Sequence, residues 1–369
     1  MDARTWTSAR SASHRQPLVL LGLGGVGRAL LKQILDARQL HERRYGLRLQ
    51  VVAVADSLGL LMADELDDDR LSEALEVKES GGSVGELEGA RDVSDKWLEQ
   101  RNPLVADTTA TDAVTPSLIE TLRRGGGVAL ANKKPLTGSW KDFQALSTYP
   151  ARARWESTVG SGLPVNATLA RIVASGDHVT RITGTISGTL GFLMSGLEQG
   201  RTFSDLVCEA HRKGYTEPDP REDLGGLDVA RKALILARTL GWKLEMKDVE
   251  VKGLYPHGEL DKLEATEFLS RIAELDEGFS ERVRRAAESG SSLRYAARVE
   301  DGRCSVGPAD VPSDSPLGRL RGNDNLIEFT TGFFQPNPLV IQGRGAGVAA
   351  TAAGVLADLV ELSLAMRQE

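Results

Sequence analysis

The chain has little of what builds metal centres and disulfide frameworks. It carries two cysteines, Cys208 and Cys304, in 369 residues. Two such cysteines make no disulfide framework, and they fit small buried side chains in a reducing, cytoplasmic compartment. The five histidines, at 14, 41, 178, 211 and 257, show no ligand spacing with them, which argues against a catalytic zinc. There is no long basic stripe, and the formal charge is -7, so nucleic acid is not the expected partner. No apolar run is read as long enough to span a bilayer, so no membrane is expected either. Residues 1–16 are polar and lack the apolar middle of a secretory signal; they read as a disordered leader, with a transit peptide or a cut within a longer polypeptide as the alternatives.

What remains is a chain that is 41% hydrophobic and long enough for two or three domains. Leu18 to Leu23 reads as a short buried parallel strand. The turn G-L-G-G-V-G follows at residues 22–27, and a helical pattern begins at once. Strand, glycines and helix in this order form a dinucleotide fingerprint. Gly22 permits the tight turn, Gly24 lets a pyrophosphate approach the backbone, and Gly27 seats the helix against the strand. Gly25 and Val26 complete the loop, and free N–H groups at the helix start suit phosphate. A bare helix-packing turn is the alternative. Residues 39–48 read as a polar insertion. The next strand, 49–55, ends at Asp56, an acid placed to bond ribose hydroxyls and to oppose the extra phosphate of NADP. Capping of a following helix is the alternative for Asp56.

A third strand ends near Ala106, so Asp107, Thr108 and Thr109 fall at a carboxyl edge, where open sheets bind ligands. A fourth ends in N-K-K, which brings Asn132, Lys133 and Lys134 to the same edge; a solvated loop is the bland alternative. The run from Glu156 to Leu163 is rich in glycine and backbone carbonyls. A hard monovalent cation could use those carbonyls with Glu156, and a plain turn explains the run equally well. A strand at 178–184 then leads into a helix after Gly188.

Residues 214–232 read G-Y-T-E-P-D-P-R-E-D-L-G-G-L-D-V-A-R-K, with five carboxylates and three cations in nineteen residues. The charge runs straight into an apolar helical pattern. Asp228 and Lys232 lie four apart on one face, beside a stripe of Val229, Ala233, Leu236 and Leu240. That suits a polar substrate pocket, with a routine surface salt bridge as the alternative. After Leu240 the chain reads as scaffold. It closes with a second glycine turn, G-R-G-A-G, which includes Gly345, and a long Ala/Leu helix.

These blocks together resemble the homoserine dehydrogenase family: the glycine turn at 22–27, N-K-K at 132–134, E-S-T-V-G-S-G-L-P at 156–164, G-T-I-S-G-T-L at 184–190 and the run 214–232. They span nearly the whole chain in the family's order. The resemblance implies an α/β protein with a Rossmann-type nucleotide-binding domain at 17–154. It implies an α+β catalytic and dimerisation domain with a mixed sheet at 155–322, and a C-terminal segment, 323–369, returning to the first domain. It implies NAD(P)-dependent interconversion of L-aspartate 4-semialdehyde and L-homoserine, on the way to threonine, methionine and isoleucine. Lys232, Lys133, Asp228 and Glu217 would be catalytic. Gly184, Thr185, Tyr215 and Asp223 would join Glu217, Asp228 and Lys232 around the substrate. Gly188, Gly345, Thr108, Thr109 and Lys133 would contact the cofactor. Glu156, Val159, Ser161 and Leu163 would hold sodium or potassium. Glu222 stands where some relatives have aspartate, and Asp56 where many lack an acid. The expected assembly is a homodimer. In some members an aspartate kinase is fused upstream, and the basic leader is compatible with the stump of such a fusion. Another small-aldehyde dehydrogenase, or a non-catalytic NAD-binding sensor, are the competing readings; retention of both lysines counts against the sensor.

Overall fold

A computed structural model of the chain describes residues 13–256 and 258–367. Residues 1–12 of the expected leader, and His257, lie outside the described residues. The chain divides into two compact units: residues up to Gly162 together with those from Gly347 onward, and Leu163–Ala346 between them. Both boundaries differ from the expected 154/155 and 322/323. The first moves because the loop through Gly162 packs on the C-terminal helix. The second moves because residues 325–343 are strands of the second sheet.

The first unit is built on a six-stranded sheet. Its strands are β1 (His14–Leu21), β2 (Leu47–Ala55), β3 (Leu60–Met62), β4 (Leu104–Asp107), β5 (Gly127–Leu130) and β6 (Ala153–Arg154), in the order β3-β2-β1-β4-β5-β6. All neighbours are parallel except β2 and β3. Leu18, Val19 and Leu20 are fully buried, as a parallel strand covered on both faces requires. β1 starts earlier than expected. His14, Arg15 and Gln16 pair with Leu47, Arg48 and Leu49, and buried Gln16 donates to the Asn102 carbonyl, so these residues are not leader. The polar stretch at 39–48 is no insertion either. It forms the last turns of the helix Gly25–Tyr45, stopped by Gly46 in the left-handed region, and then enters β2. Its charges mark the solvated flank of a long helix.

The helix Val348–Met366 lies in this same unit and packs against the helix Gly25–Tyr45 and the sheet. By length and composition it would also cross a bilayer, contrary to the expectation that no run was long enough. Its apolarity has a visible use: Ala352, Val355, Leu359 and Leu362 are buried in the core of the unit.

The second unit carries a mixed sheet in the order β12-β11-β7-β9-β10-β8. Its strands are β7 (Val179–Thr185), β8 (Val249–Val251), β9 (Ser291–Glu300), β10 (Arg303–Pro312), β11 (Asn325–Thr331) and β12 (Leu339–Gly343). β8 runs parallel to β10, and the other pairs are antiparallel. β9 and β10 form a hairpin. Its two turn residues, Asp301 and Gly302, both take positive φ, which matches the twist of the flanking strands. The helices Val165–Ala174 and Leu227–Thr239 pack together in this unit, and the second also contacts β9 and β10.

Candidate active site

In the first unit the site is mostly backbone. Gly22 sits at φ 91, and a Cβ there would come within 2.9 Å of the Thr108 and Thr109 main chain. Gly27 is tighter still: a Cβ would lie 1.9 Å from the Gly22 carbonyl. At Gly24, by contrast, a Cβ would meet nothing within 4 Å. These are the three geometries expected of a tight turn, a close helix seat and an open approach for pyrophosphate. Gly25 and Val26 begin the helix, which has no side-chain cap and no acid in its first turn. The helix Val348–Met366 starts in the same way, and a Cβ on Gly25 would lie 3.5 Å from a Val348 methyl. Two uncapped positive helix ends therefore meet beside the glycine turn, a suitable place for a doubly charged pyrophosphate.

Asp56 does something other than expected. Its Oδ1 accepts from the N–H groups of Leu58 (2.9 Å) and Gly59 (3.0 Å), and its Oδ2 from Val84 N–H (2.8 Å) and Lys78 Nζ (2.9 Å). A carboxylate offers about four lone-pair sites, so all are taken. Burial works against the charge, but Lys78 and the N–H groups of Val84 and Leu58 outweigh it and hold the carboxyl below its usual range. Asp56 is therefore a staple between the end of β2 and the turn Val84–Glu86, with its charge cancelled. Neither ribose recognition nor repulsion of a 2'-phosphate falls to it in this geometry. Lys78, far away in sequence, gave no signal of this role.

The ends of β4 and β5 are tied together. Thr108 donates its N–H and hydroxyl to the Leu21 carbonyl and its hydroxyl also to that of Gly22, which locks the edge of β4 to the glycine turn. Buried Asp107 accepts from the Thr109 N–H and from Asn132 Nδ2 (3.0 Å), and burial pushes its carboxyl up. Asn132 also reaches Thr109 Oγ1 and the Thr111 carbonyl. Lys133 follows this knot at half-buried exposure, and its carbonyl starts the short helix Lys134–Thr137. Lys133 is thus mounted on a rigid edge rather than on a floppy loop.

The candidate cation loop packs on the C-terminal helix. Glu156 N–H donates to buried Asp358, Ser157 Oγ to the Thr351 carbonyl, and Ser161 Oγ bonds Thr351 Oγ1 at 2.8 Å. Val159 is fully buried, and Gly160 and Ser161 both take positive φ. A left-handed serine is uncommon, and consecutive left-handed residues turn their peptide carbonyls to unusual directions. Leu163 opens the second unit.

In the second unit the site is made of side chains. The helix Leu227–Thr239 follows Gly226, which is left-handed at φ 76. Val229, Ala233 and Leu236 bury the expected stripe. Lys232 Nζ, on a side chain only 14% exposed, is held 2.7 Å from Asp228 Oδ2 and donates to the Ile186 carbonyl at 2.8 Å. An ammonium has three donors, so one N–H is left for a ligand. The Ile186 carbonyl was not foreseen, because main-chain acceptors leave no mark in a sequence. It follows Thr185, the last residue of β7, whose buried hydroxyl has no partner among the described residues. Gly184 has a plain packing reason: a Cβ would lie 2.8 Å from the Leu326 carbonyl of the neighbouring strand.

The acidic loop is braced from within. Asp223 Oδ2 accepts the Glu217 N–H at 2.8 Å, and Arg221 pairs with Asp219 while donating to the carbonyls of Leu260, Asp261 and Leu263. Burial, and then the neighbouring carboxylates Glu217, Asp228 and Glu222, raise the Asp223 carboxyl to about 6 against the opposing Glu217 N–H bond. Acids are thus crowded at a cost, which suits a site awaiting a cation. Tyr215 is oriented by Thr189, whose hydroxyl bonds its carbonyl, and by Phe192 edge-on to its ring. Thr189 follows Gly188, which begins the helix Gly188–Glu198.

Comparison with known proteins agrees with this division. The NAD-binding domain of homoserine dehydrogenase matches residues 22–153, and the homoserine dehydrogenase family matches residues 164–360. The chain is 36% identical over 355 residues to a bifunctional aspartokinase/homoserine dehydrogenase of Haemophilus influenzae, covering 93% of this chain and 42% of that protein. It therefore spans about two fifths of such bifunctional relatives. It is 38% identical over 274 residues to a homoserine dehydrogenase of Paracoccidioides brasiliensis, covering 70% of this chain and 74% of that one. A hyperthermophilic archaeal homoserine dehydrogenase, solved in complex with NADPH, superposes with a TM-score of 0.74 at 25% identity, over 95% of this chain and 98% of that one. Fold, the glycine turn with its open Gly24, and the matches across both units agree: the chain belongs to the homoserine dehydrogenase family.

Proposed function

We propose that this protein interconverts L-aspartate 4-semialdehyde and L-homoserine with a nicotinamide dinucleotide. The observation that carries the reading is Lys232, a nearly buried ammonium aimed by Asp228 and the Ile186 carbonyl, beside an acidic loop that accommodates charge poorly until a cation arrives. When bound, the nicotinamide supplies or takes the hydride. The chain's own residues do the rest. Glu217 and Asp223 receive the substrate ammonium. Lys232 presents its remaining N–H to the oxygen on which charge develops, and so favours the transition state over the neutral carbonyl. It passes a proton to that oxygen directly or through a water held by Glu217 and Asp228. The family resemblance gives Lys133 the role of a second ammonium in the reaction. An assay with homoserine and each nicotinamide cofactor tests the reading; no reduction of either cofactor by a folded protein would end it.

The cofactor reading includes both NAD and NADP. Its support is the saturated Asp56 carboxylate, its charge offset by Lys78, together with the NADPH-bound archaeal relative. A strong preference for NAD in steady-state constants would count against it. Sodium or potassium near Glu156 and the carbonyls of Val159, Ser161 and Leu163 is supported by the family resemblance and by the left-handed pair Gly160 and Ser161. Activity titrated with each salt at fixed ionic strength should rise and saturate, and equal activity in a bulky organic cation would refute a specific site. Family membership also supports a homodimer, to be weighed by light scattering. The bifunctional relatives support a kinase on a longer parent polypeptide, which the mass of the native protein would decide.

A further inference from the structure

Between Tyr215 and Asp223 the acidic loop holds four carboxylates and one cation, Arg221. That cation is spent on one acid. Its Nε and Nη2 donate to Asp219, Nη2 at 2.6 Å, and hold that carboxyl below its usual range. Its Nη1 donates to the carbonyls of Leu260 (3.1 Å), Asp261 (3.1 Å) and Leu263 (2.7 Å). The guanidinium also lies over the buried ring of Phe268, 5.4 Å from its centroid. The Arg221 side chain is only 15% exposed. One planar fork thus serves a carboxylate, main-chain acceptors and a ring together, which a lysine ammonium cannot do. Asp223, two residues on, is acted on instead by burial and by the carboxylates of Glu217, Asp228 and Glu222, against the Glu217 N–H. The geometry therefore sorts the acids. Asp219 is a strut, while Glu217 and Asp223 keep their charges close together. Their repulsion works to open the turn. Pro218 and Pro220 limit its backbone angles but do not hold its ends. The Asp219–Arg221 pair, pinned to the main chain of 260–263, does.

We infer that Arg221 is a positioning residue for the substrate ammonium: by tying Asp219 to the main chain of 260–263 it fixes the turn from which Glu217 and Asp223 present their carboxylates. The inference deepens the proposed function and rests on it. The fork of Arg221 is turned on the protein, so its loss weakens homoserine binding and spares the hydride step. The tie depends on the fork and not on the charge alone. Arg221→Lys keeps the charge and loses the fork. Asp219→Asn removes the ion pair and leaves the carbonyl bonds of Arg221 in place.

The test measures homoserine KM, kcat and the dissociation constants of NADH and NADPH, with circular dichroism as a folding check. Arg221→Lys should raise homoserine KM about tenfold, with kcat within about threefold of wild type and cofactor affinity unchanged. Asp219→Asn should raise KM about threefold. The double variant should go about as far as Arg221→Lys alone, because both act through one pair. A second arm needs no substrate: titration of the Asp223 carboxyl by NMR. Wild type should titrate near about 6, and Arg221→Lys should bring the carboxyl down toward ordinary aspartate, about 4, as the opened turn admits water. An unchanged homoserine KM in folded Arg221→Lys would overturn the inference. So would a fall in cofactor affinity as large as the change in KM, or an Asp223 titration that stays at the wild-type position. If Arg221→Lys does not fold, Asp219→Asn decides, and either an unchanged KM or misfolding there overturns the inference too. A wild type that does not oxidise homoserine refutes the proposed function instead, and the Asp223 titration still reads whether Arg221 sets the turn.

Discussion

The glycine turn of the first unit and the acidic loop of the second solve opposite problems. The first must admit a dianion, and it does so by removing matter: no side chain at Gly24, no acid in the first turn of either adjoining helix. On the proposed function the second admits an ammonium and stabilises a developing oxyanion, and it does so by adding charge and bracing it. Asp223, Asp228 and Lys232 are each held by a named partner. A site made by omission tolerates no added atom. A site made of charges tolerates no lost partner. Asp56 shows how the two can be confused: it is a charge at the nucleotide edge, but its hydrogen bonds are spent on three backbone N–H groups and on Lys78.

The largest expected effect is on the side-chain half. Lys232→Ala removes the ammonium that the transition state needs most. Turnover should fall roughly a hundredfold or more, about 3 kcal/mol, while cofactor affinity changes little. Rapid-mixing and steady-state kinetics beside circular dichroism would measure it. Near-normal turnover in a folded variant would move the acid role to Lys133 and erase the contrast between the halves.

Asp56→Ala sharpens the comparison from the other side. It strands the N–H groups of Leu58, Gly59 and Val84 and the ammonium of Lys78. The expected loss is about 2–3 kcal/mol of stability, read in a denaturant melt. The ratio of NADP to NAD affinity should move by less than about threefold. A large rise in NADP affinity with little change in stability would restore Asp56 to ribose recognition.

Asp223→Asn should do the reverse for stability. A carboxyl raised from 3.8 to about 6 binds its proton more tightly folded than unfolded. Stability therefore falls as pH rises from about 4 to 6 and stays at that lower level above. The amide keeps an acceptor for the Glu217 N–H and carries no charge. After discounting for partial exposure, the variant should be about 1–2 kcal/mol more stable at pH 7.5, with the gap closing toward pH 4. Homoserine affinity should drop in the same variant. A variant no more stable than wild type at neutral pH would mean that the acids are not crowded at a cost.

The sequence was most readable where local chemistry and long-range structure agree. Gly22, Gly24 and Gly27 announce their geometry because only glycine fits two of the positions and because strand and helix flank them directly. Asp228 and Lys232 announce theirs because helical spacing fixes which face they share. What stayed hidden depends on partners distant in the chain. Lys78 reaches Asp56 across 22 residues and the Ile186 carbonyl reaches Lys232 across 46, and neither contact follows from any periodicity. The unit boundaries were hidden for the same reason. Asn325–Thr331 and Leu339–Gly343 belong to the second sheet only through the pairing of β11 with β7, which no local pattern announces. A polar stretch was read as an insertion because the outer face of a long helix and a loop have similar composition.

The smallest expected effect is also the cleanest test of a site made by omission. Gly24 has φ -72 and ψ -162, a conformation any residue adopts, and a Cβ there would touch nothing. Gly24→Ala should therefore fold and melt like wild type, unlike Gly27→Ala, where the added carbon would collide with the Gly22 carbonyl. The empty space at Gly24 matters only if a ligand fills it. If the pyrophosphate lies against that backbone, the methyl should weaken NADH and NADPH alike by about tenfold, roughly 1.4 kcal/mol. Both cofactors should suffer equally because the pyrophosphate is common to them. Fluorescence titration of each cofactor, with a thermal melt as control, makes the measurement. Unchanged affinity for both would mean that the dinucleotide crosses the sheet edge elsewhere. A selective loss of NADPH would place its extra phosphate, rather than the pyrophosphate, at this turn.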